Sequence, residues 1–292
     1  GDYLVIYDAE DRPHPNQLLE AENSFRRLPI HTACLQAPLA IDNHNETWLT
    51  KLFSVEYDTL FHGILPVLSD WHSPIPLGGT SNHFRLETLR AVGGWDSYNV
   101  TEDADLGIRL ARKKLHCATL RLPTYEEAPA TTSSWTKQRT RWIKGWMQTL
   151  LVHLRNPLKT ANEMGWGAFF KFHMVLTSVV VSVLVHPFFL VAFVFQIGKY
   201  FSGIPLDPYD IAITGMSSFN LVAGYTTYGL LALAVQSAKP PTVNKVWILV
   251  LPIYWIFISI AGWRALVKLL IHPHEWEKTS HGSAKRNKPD LV

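Results

Sequence analysis

Residues 132–154 read TSSWTKQRTRWIKGWMQTLLVHL, a run without proline whose aromatic and basic side chains recur at helical spacing. A long helix is expected here, and it carries Gln138, Arg141, Trp142 and Trp146. Positions i, i+3 and i+4 share a helical face, so Gln138, Arg141 and Trp142 are neighbours. Such a face offers hydrogen bonds, a charge suited to a diphosphate and an apolar platform for a sugar ring. A basic, Trp-bearing helix is also what a simple membrane-surface anchor looks like.

Upstream lies Thr101-Glu102-Asp103-Ala104-Asp105, which opens a second helix reaching Lys114. Thr101 suits an N-cap, and acids favour the first turn. The chemical alternative is that Asp103, beside Glu102, is a general base taking a proton from an acceptor hydroxyl. Partial burial and a second acid nearby would raise its pKa toward that task.

At the beginning of the chain, YLVIY (residues 3–7) reads as a buried strand that runs into Asp8-Ala9-Glu10-Asp11. Acids at a strand end suit Mg2+ or Mn2+, which prefer oxygen ligands and take one or two protein carboxylates when bridging a diphosphate. A solvated acidic turn has the same composition. Between these pieces, Gln17–Arg26 and Thr47–Leu65 read as helices, Leu35–Ile41 as one strand, and Leu86–Val92 as a short helix closed by Gly93-Gly94. Residues 74–80 form a Pro/Gly loop.

From Gly165 onward the composition changes. Ala168–Ile197 and Ile211–Gln236 are long enough to span a bilayer, and Val246–Trp263 is shorter and contains Pro252. Arg264 and Lys268 continue the third stretch on one face, as in a helix lying in the membrane surface. The expected organisation is a catalytic part (1–160), a membrane region of two spans and an interfacial helix (161–271), and a loop with a basic tail (272–292).

Several function classes lack support. A net charge of +3 is too weak for a nucleic-acid partner. Cys34 and Cys117 lie far apart, without CxxC spacing, and read as reduced thiols. The histidines show no HExxH spacing, and neither a Gly-x-Ser-x-Gly elbow nor a Walker-type loop occurs.

The order of the pieces is specific. Asp8-Ala9-Glu10-Asp11, Gly78-Gly79-Thr80-Ser81-Asn82, Gly93-Gly94-Trp95-Asp96, Thr101-Glu102-Asp103 and Gln138-x-x-Arg141-Trp142 together resemble the processive family 2 glycosyltransferases, of which the bacterial cellulose synthase catalytic subunit is a member. Residues 254–282, ending in Trp276-Glu277-Lys278-Thr279-Ser280-His281-Gly282, are similar to the interfacial helix and gating loop of those enzymes. The resemblance implies a GT-A type α/β domain, here without its N-terminal half, followed by helical membrane segments. It implies Asp8 as a metal ligand, with Glu10 or Asp11 as the second where the family has Asp-x-Asp. It implies Asp103 as base with Glu102 beside it, and Gln138, Arg141 and Trp142 binding acceptor and donor. Lys278 and Thr279 would belong to a loop closing over the nucleotide. The implied partners are a nucleoside diphosphate sugar, a growing glycan, the lipid bilayer, and a separate N-terminal piece or export subunit. The implied location is the inner or plasma membrane, with the catalytic part cytoplasmic. A non-processive transferase acting on a lipid, and an inactive membrane scaffold or transporter, are the competing expectations.

Overall fold

The computed structural model describes residues 1–239, 242–273, 275 and 277. Lys278 and Thr279, and with them the expected gating loop, lie outside the described residues.

Strand β1 (Tyr3–Ile6) and the short β2 (Arg12–Pro13) flank the acidic turn and lead into helix α1 (Gln17–Arg27). Strands β3 (Thr32–Gln36) and β4 (Leu39–Ile41) precede α2 (Trp48–Thr59), which continues through a π-helical turn, Leu60–Ile64, into α3 (Leu65–Asp70). Then come β5 (Asn82–Arg85), α4 (Leu86–Ala91), α5 (Glu102–Arg112), β6 (His116–Thr119) and β7 (Thr124–Glu126). The remainder is helical: α6 (Thr132–Leu154), α7 (Pro157–Met164), α8 (Trp166–Phe172), α9 (Ser178–Phe201), α10 (Pro208–Ala238) and α11 (Leu251–Ile271).

One sheet has the order β1-β5-β3-β6, with β3 and β6 parallel and the other pairs antiparallel. A second has the order β2-β7-β4. The single strand expected over Leu35–Ile41 is therefore two strands in two sheets. Pro38 lies between them, and a residue without an N–H cannot extend the ladder. Every residue of β3 is buried, including the polar Thr32 and Gln36 at its ends.

Two glycines set the spacing of the helices. A Cβ on Gly145 of α6 would lie 2.3 Å from Thr101 Oγ1, so α6 packs directly on the start of α5. A Cβ on Gly262 of α11 would lie 2.1 Å from Val183 Cγ1, which brings α11 against α9.

Among the described residues, three helical stretches are long and apolar enough to cross a membrane: Trp166–Phe201, Pro208–Ala238 and Lys245–Ile271, with mean hydropathies of 2.4, 1.3 and 2.0. The third is 27 residues long, well beyond the apolar stretch read from the sequence. It packs along α6: Trp135 Nε1 donates to Tyr254 Oη at 3.1 Å, and Gln148 Nε2 donates to the Pro273 carbonyl at 2.8 Å. The first turn of α6 thus meets the first turn of α11, a residue further along α6 meets the chain just past the end of α11, and the two helices run side by side.

Candidate active site

The Gly78–Asn82 loop is pinned from several sides. Gly78 N–H donates to Gln36 Oε1 at 2.9 Å, Gln36 Nε2 donates to the Thr80 carbonyl at 3.0 Å, and Asn82 Nδ2 donates to the Gly78 carbonyl. Ser81 adopts a positive φ of 59° and its N–H donates to the Ile6 carbonyl at 2.7 Å, which ties the loop to the end of β1. Thr80 meets the acidic turn there. Its Oγ1 accepts from the Asp8 N–H at 3.2 Å and donates to Asp11 Oδ2, which also accepts from the Asp8 N–H at 3.1 Å. One Asp11 oxygen therefore closes the turn, while the exposed Asp8 faces outward.

Asp8 opens onto a cavity of about 910 Å3, lined also by Ile6, Gly79, Trp95, Asn99, Glu102 and Asp103. The acidic turn and the start of α5, more than ninety positions apart in sequence, thus share one space. Asp103 Oδ2 would lie 3.2 Å from a Cβ on Gly79, so a side chain there would press on the carboxylate. Burial pushes the Asp103 carboxyl up to about 7, and the Glu102 charge pushes the same way. The backbone N–H groups of Ala104 and Asp103 and the Arg141 guanidinium oppose the rise. Thr101 does not cap α5 with its side chain, contrary to expectation; its Oγ1 is buried against α6 and has no hydrogen-bond partner. The three acids of the first turn answer the helix dipole instead.

On α6, the charge of Arg141 is felt by Asp103, Glu102 and Asp8, whose carboxylates counter the lowering of its pKa by burial. None of the three motif residues is part of the cavity lining itself; Arg141 reaches its carboxylates through charge. Gln138 is buried, and its Oε1 has no hydrogen-bond partner. Trp142 packs on Phe53 and Tyr57, with ring centroids 6.2 and 6.5 Å away. Arg139 lies under it, 4.9 Å from the ring, and pairs with Glu56 through Nη1 at 2.6 Å.

Glu126, hydrogen-bonded with Tyr57, stands beside the acidic turn, and the sequence reading singled out neither. Burial, followed by Asp11, pushes the Glu126 carboxyl up to about 8, with Asp8 and Glu10 adding to the effect and a hydrogen bond with Tyr57 opposing it. The available signal was a Glu126-Glu127 pair at the end of a short strand.

The donor set suits a hard divalent cation at Asp8. Among the described residues no group of three or more His, Cys, Asp or Glu could hold a metal by itself.

The family described as "Glycosyl transferase family group 2" matches residues 3–267. The chain belongs to that family. Its architecture is α/β, with mixed sheets, surrounding helices and C-terminal helices apolar enough to span a membrane. Similar curated proteins include a probable glucomannan 4-beta-mannosyltransferase of Oryza sativa, 29% identical over 150 residues, covering 49% of this chain and 27% of the relative. A beta-monoglucosyldiacylglycerol synthase of Trichormus variabilis is 29% identical over 169 residues, covering 56% and 34%. The chain thus spans about a quarter to a third of the length of these relatives. Among solved structures, a mannosyltransferase from Pyrobaculum calidifontis in complex with GDP-Man and Mn2+ aligns over 92% of this chain and 62% of its own, at 15% identity and a TM-score of 0.46.

Proposed function

We propose that this chain carries the catalytic and membrane parts of an inverting glycosyltransferase, which moves hexosyl units from a nucleoside diphosphate sugar to the growing end of a glycan. The supporting observation is that Asp8 and Asp103 line one cavity, with Arg141 acting on both. In this reading Asp103 accepts the proton of the acceptor hydroxyl, and the oxygen bonds to the anomeric carbon as the bond to the diphosphate oxygen breaks. The electron pair leaves with the diphosphate, and Arg141 offsets its growing charge. A single displacement with one base inverts the configuration. Glu102 maintains the raised pKa of Asp103, while Gln138 and Trp142 shape the acceptor end. Mg2+ or Mn2+, held by Asp8 with Glu10 or Asp11, would neutralise the donor diphosphate when bound.

Extension of a polymer rests on the motif order and on a relative that makes glucomannan; transfer to a lipid rests on the relative that makes glucosyldiacylglycerol. Product length separates them. With the protein in nanodiscs and radiolabelled donor, a ladder of long products supports repeated transfer, and a single addition to a lipid overturns it.

The catalytic part is assigned to the cytoplasmic side of the inner or plasma membrane, where nucleotide sugars are made, with an export subunit or separate N-terminal piece as partner. Parity constrains the topology. Two crossings return Lys278 and Thr279 to the donor side, whereas three would strand them opposite. The side-by-side course of α6 and α11 supports α11 as the interfacial helix. So does its cover: 33% of its most apolar window is buried, against 11% and 17% in the other two stretches. A cysteine replacing Ser283 should react with impermeant maleimide only after cells are opened. Labelling of intact spheroplasts would remove both this topology and the closing role of Thr279.

A further inference from the structure

The opposite end of α5 carries a second cavity, of about 280 Å3, that the transfer reaction does not use. Its lining includes His72, Ser73, Lys114, His116, Met164 and Ala168. Its lining takes Gly107 and Ala111 from α5, which lie roughly 6 and 12 Å along the helix axis from Asp103.

The groups around it are basic. The His72 and His116 rings lie 4.6 Å apart, and His31 meets His116 edge-on at 5.0 Å. Lys171 Nζ donates to the Trp71 carbonyl at 2.5 Å, one residue from His72. Two of these residues hold left-handed backbone, His72 at φ 48° and Lys114 at φ 57°. Neither is a glycine, and such positions carry strain that functional sites tend to retain. A basic residue near a helix C-terminus has an ordinary dipole role. That accounts for His72 and Lys114 singly, not for five basic side chains converging.

An independent observation points to an acceptor ligand. Ser73 lines the cavity, is 5% exposed, and its Oγ has no hydrogen-bond partner in the structure. A buried hydroxyl without a partner costs free energy that a bound oxyanion would recover. Mutual repulsion among His72, His31 and Lys171 adds to burial in lowering the His116 pKa, and an anion would relieve that repulsion. A metal cation is a poor fit, because two lysine ammoniums oppose it and no metal-ligating group of three forms among the described residues.

The position indicates where the anion comes from. Ala168 lies on α8, at the foot of the first long apolar stretch, and Trp71, Trp166, Phe170 and Met174 nearby are all exposed. Exposed tryptophans beside lysines at the end of an apolar helix mark the headgroup level of a bilayer. The cavity is at the small end of ligand pockets, sized for a headgroup rather than a nucleotide.

We propose that this cavity binds the phosphate of an anionic membrane phospholipid, with Ser73, His72, His116, Lys114 and Lys171 as its donors. This stands apart from the transfer chemistry and holds whether or not Asp103 is the base. The test uses the full chain in neutral detergent, with diethylpyrocarbonate labelling of His72 and His116 read by peptide mass spectrometry. Short-chain phosphatidylglycerol should protect both histidines at concentrations where phosphatidylcholine and inorganic phosphate do not. The double substitution Lys114→Gln/Lys171→Gln should raise the half-protecting concentration at least about tenfold, and Lys114→Arg/Lys171→Arg should keep it near the original value. Equal protection by inorganic phosphate would make this a free-phosphate site and overturn the lipid assignment. Equal protection by phosphatidylcholine, or none by any probe, would overturn anion selection altogether.

Discussion

Asp8 and Asp103 line the same cavity, yet their surroundings differ. Asp8 sits exposed on a turn, its backbone N–H shared between Thr80 and Asp11. Asp103 lies partly buried in the first turn of a helix that α6 covers closely at Gly145, and burial raises its carboxyl to about 7. Exposure leaves a carboxylate within reach of a cation. Burial makes one reluctant to ionise, and so suited to accept a proton near neutrality. The difference suits the two carboxylates to the separate roles proposed for them more clearly than the motifs do, since both are acids beside acids in sequence.

The largest expected effect breaks the base side of this comparison. Asp103→Asn keeps the shape and removes proton acceptance, so turnover should fall at least about a hundredfold with donor affinity unchanged. The folded pKa of Asp103 lies above its unfolded value. The charged form is therefore disfavoured by folding, and the native state loses stability as pH rises from about 4 to 7. Asp103→Asn should accordingly raise the melting temperature at pH 8 and leave it nearly unchanged at pH 4. Loss of activity together with loss of stability at pH 8 would make Asp103 structural.

Arg141→Ala comes next, with an expected fall in turnover of about a hundredfold, because the leaving diphosphate loses its counter-charge. Asp8→Ala should instead weaken donor binding at least about tenfold in the presence of Mg2+ or Mn2+ and leave metal-free binding unaltered. Calorimetry with a non-hydrolysable donor analogue reads both. Unchanged metal dependence in Asp8→Ala would reduce the acidic loop to a turn.

Much of this arrangement was legible in the sequence because it is carried locally. The 132–154 stretch forms α6 with those ends, and Gln17–Arg26 differs from α1 by one residue. That Asp8 follows a strand and Asp103 opens a helix was readable from the sequence; that they share one cavity was not. Long-range facts were not legible. Nothing local shows that Glu126 turns toward Tyr57 and Asp11, or that Pro38 sends one apolar run into two sheets. Thr101 looked like a cap because its residue type fits, but α6 packs where a capping side chain would turn. Helical spacing placed Gln138, Arg141 and Trp142 on one face, yet only Arg141 is coupled to the cavity carboxylates. Trp142 is held by the aromatic and Arg139 packing of α2 and α6, which no periodicity reveals.

The smallest expected effect sharpens the comparison through the neighbours of Asp103. The ascending limb of the pH profile of kcat/KM reports the free enzyme's base, so it should rise through about pH 7. Glu102 raises the Asp103 pKa and Arg141 lowers it. Glu102→Gln removes a negative charge from beside the carboxylate, so ionisation becomes easier and the limb should move to lower pH. Residual activity of Arg141→Ala should show the limb moved to higher pH, because the stabilising positive charge is gone. Glu126→Gln serves as the control, since Glu126 titrates in the same range but does not appear among the groups acting on Asp103. It should leave the position of the limb unchanged. If Glu126→Gln moves the limb while Glu102→Gln and Arg141→Ala do not, the titrating base lies on the Tyr57 side of the cavity. The contrast between an exposed ligand and a buried base would then have to be redrawn around Glu126.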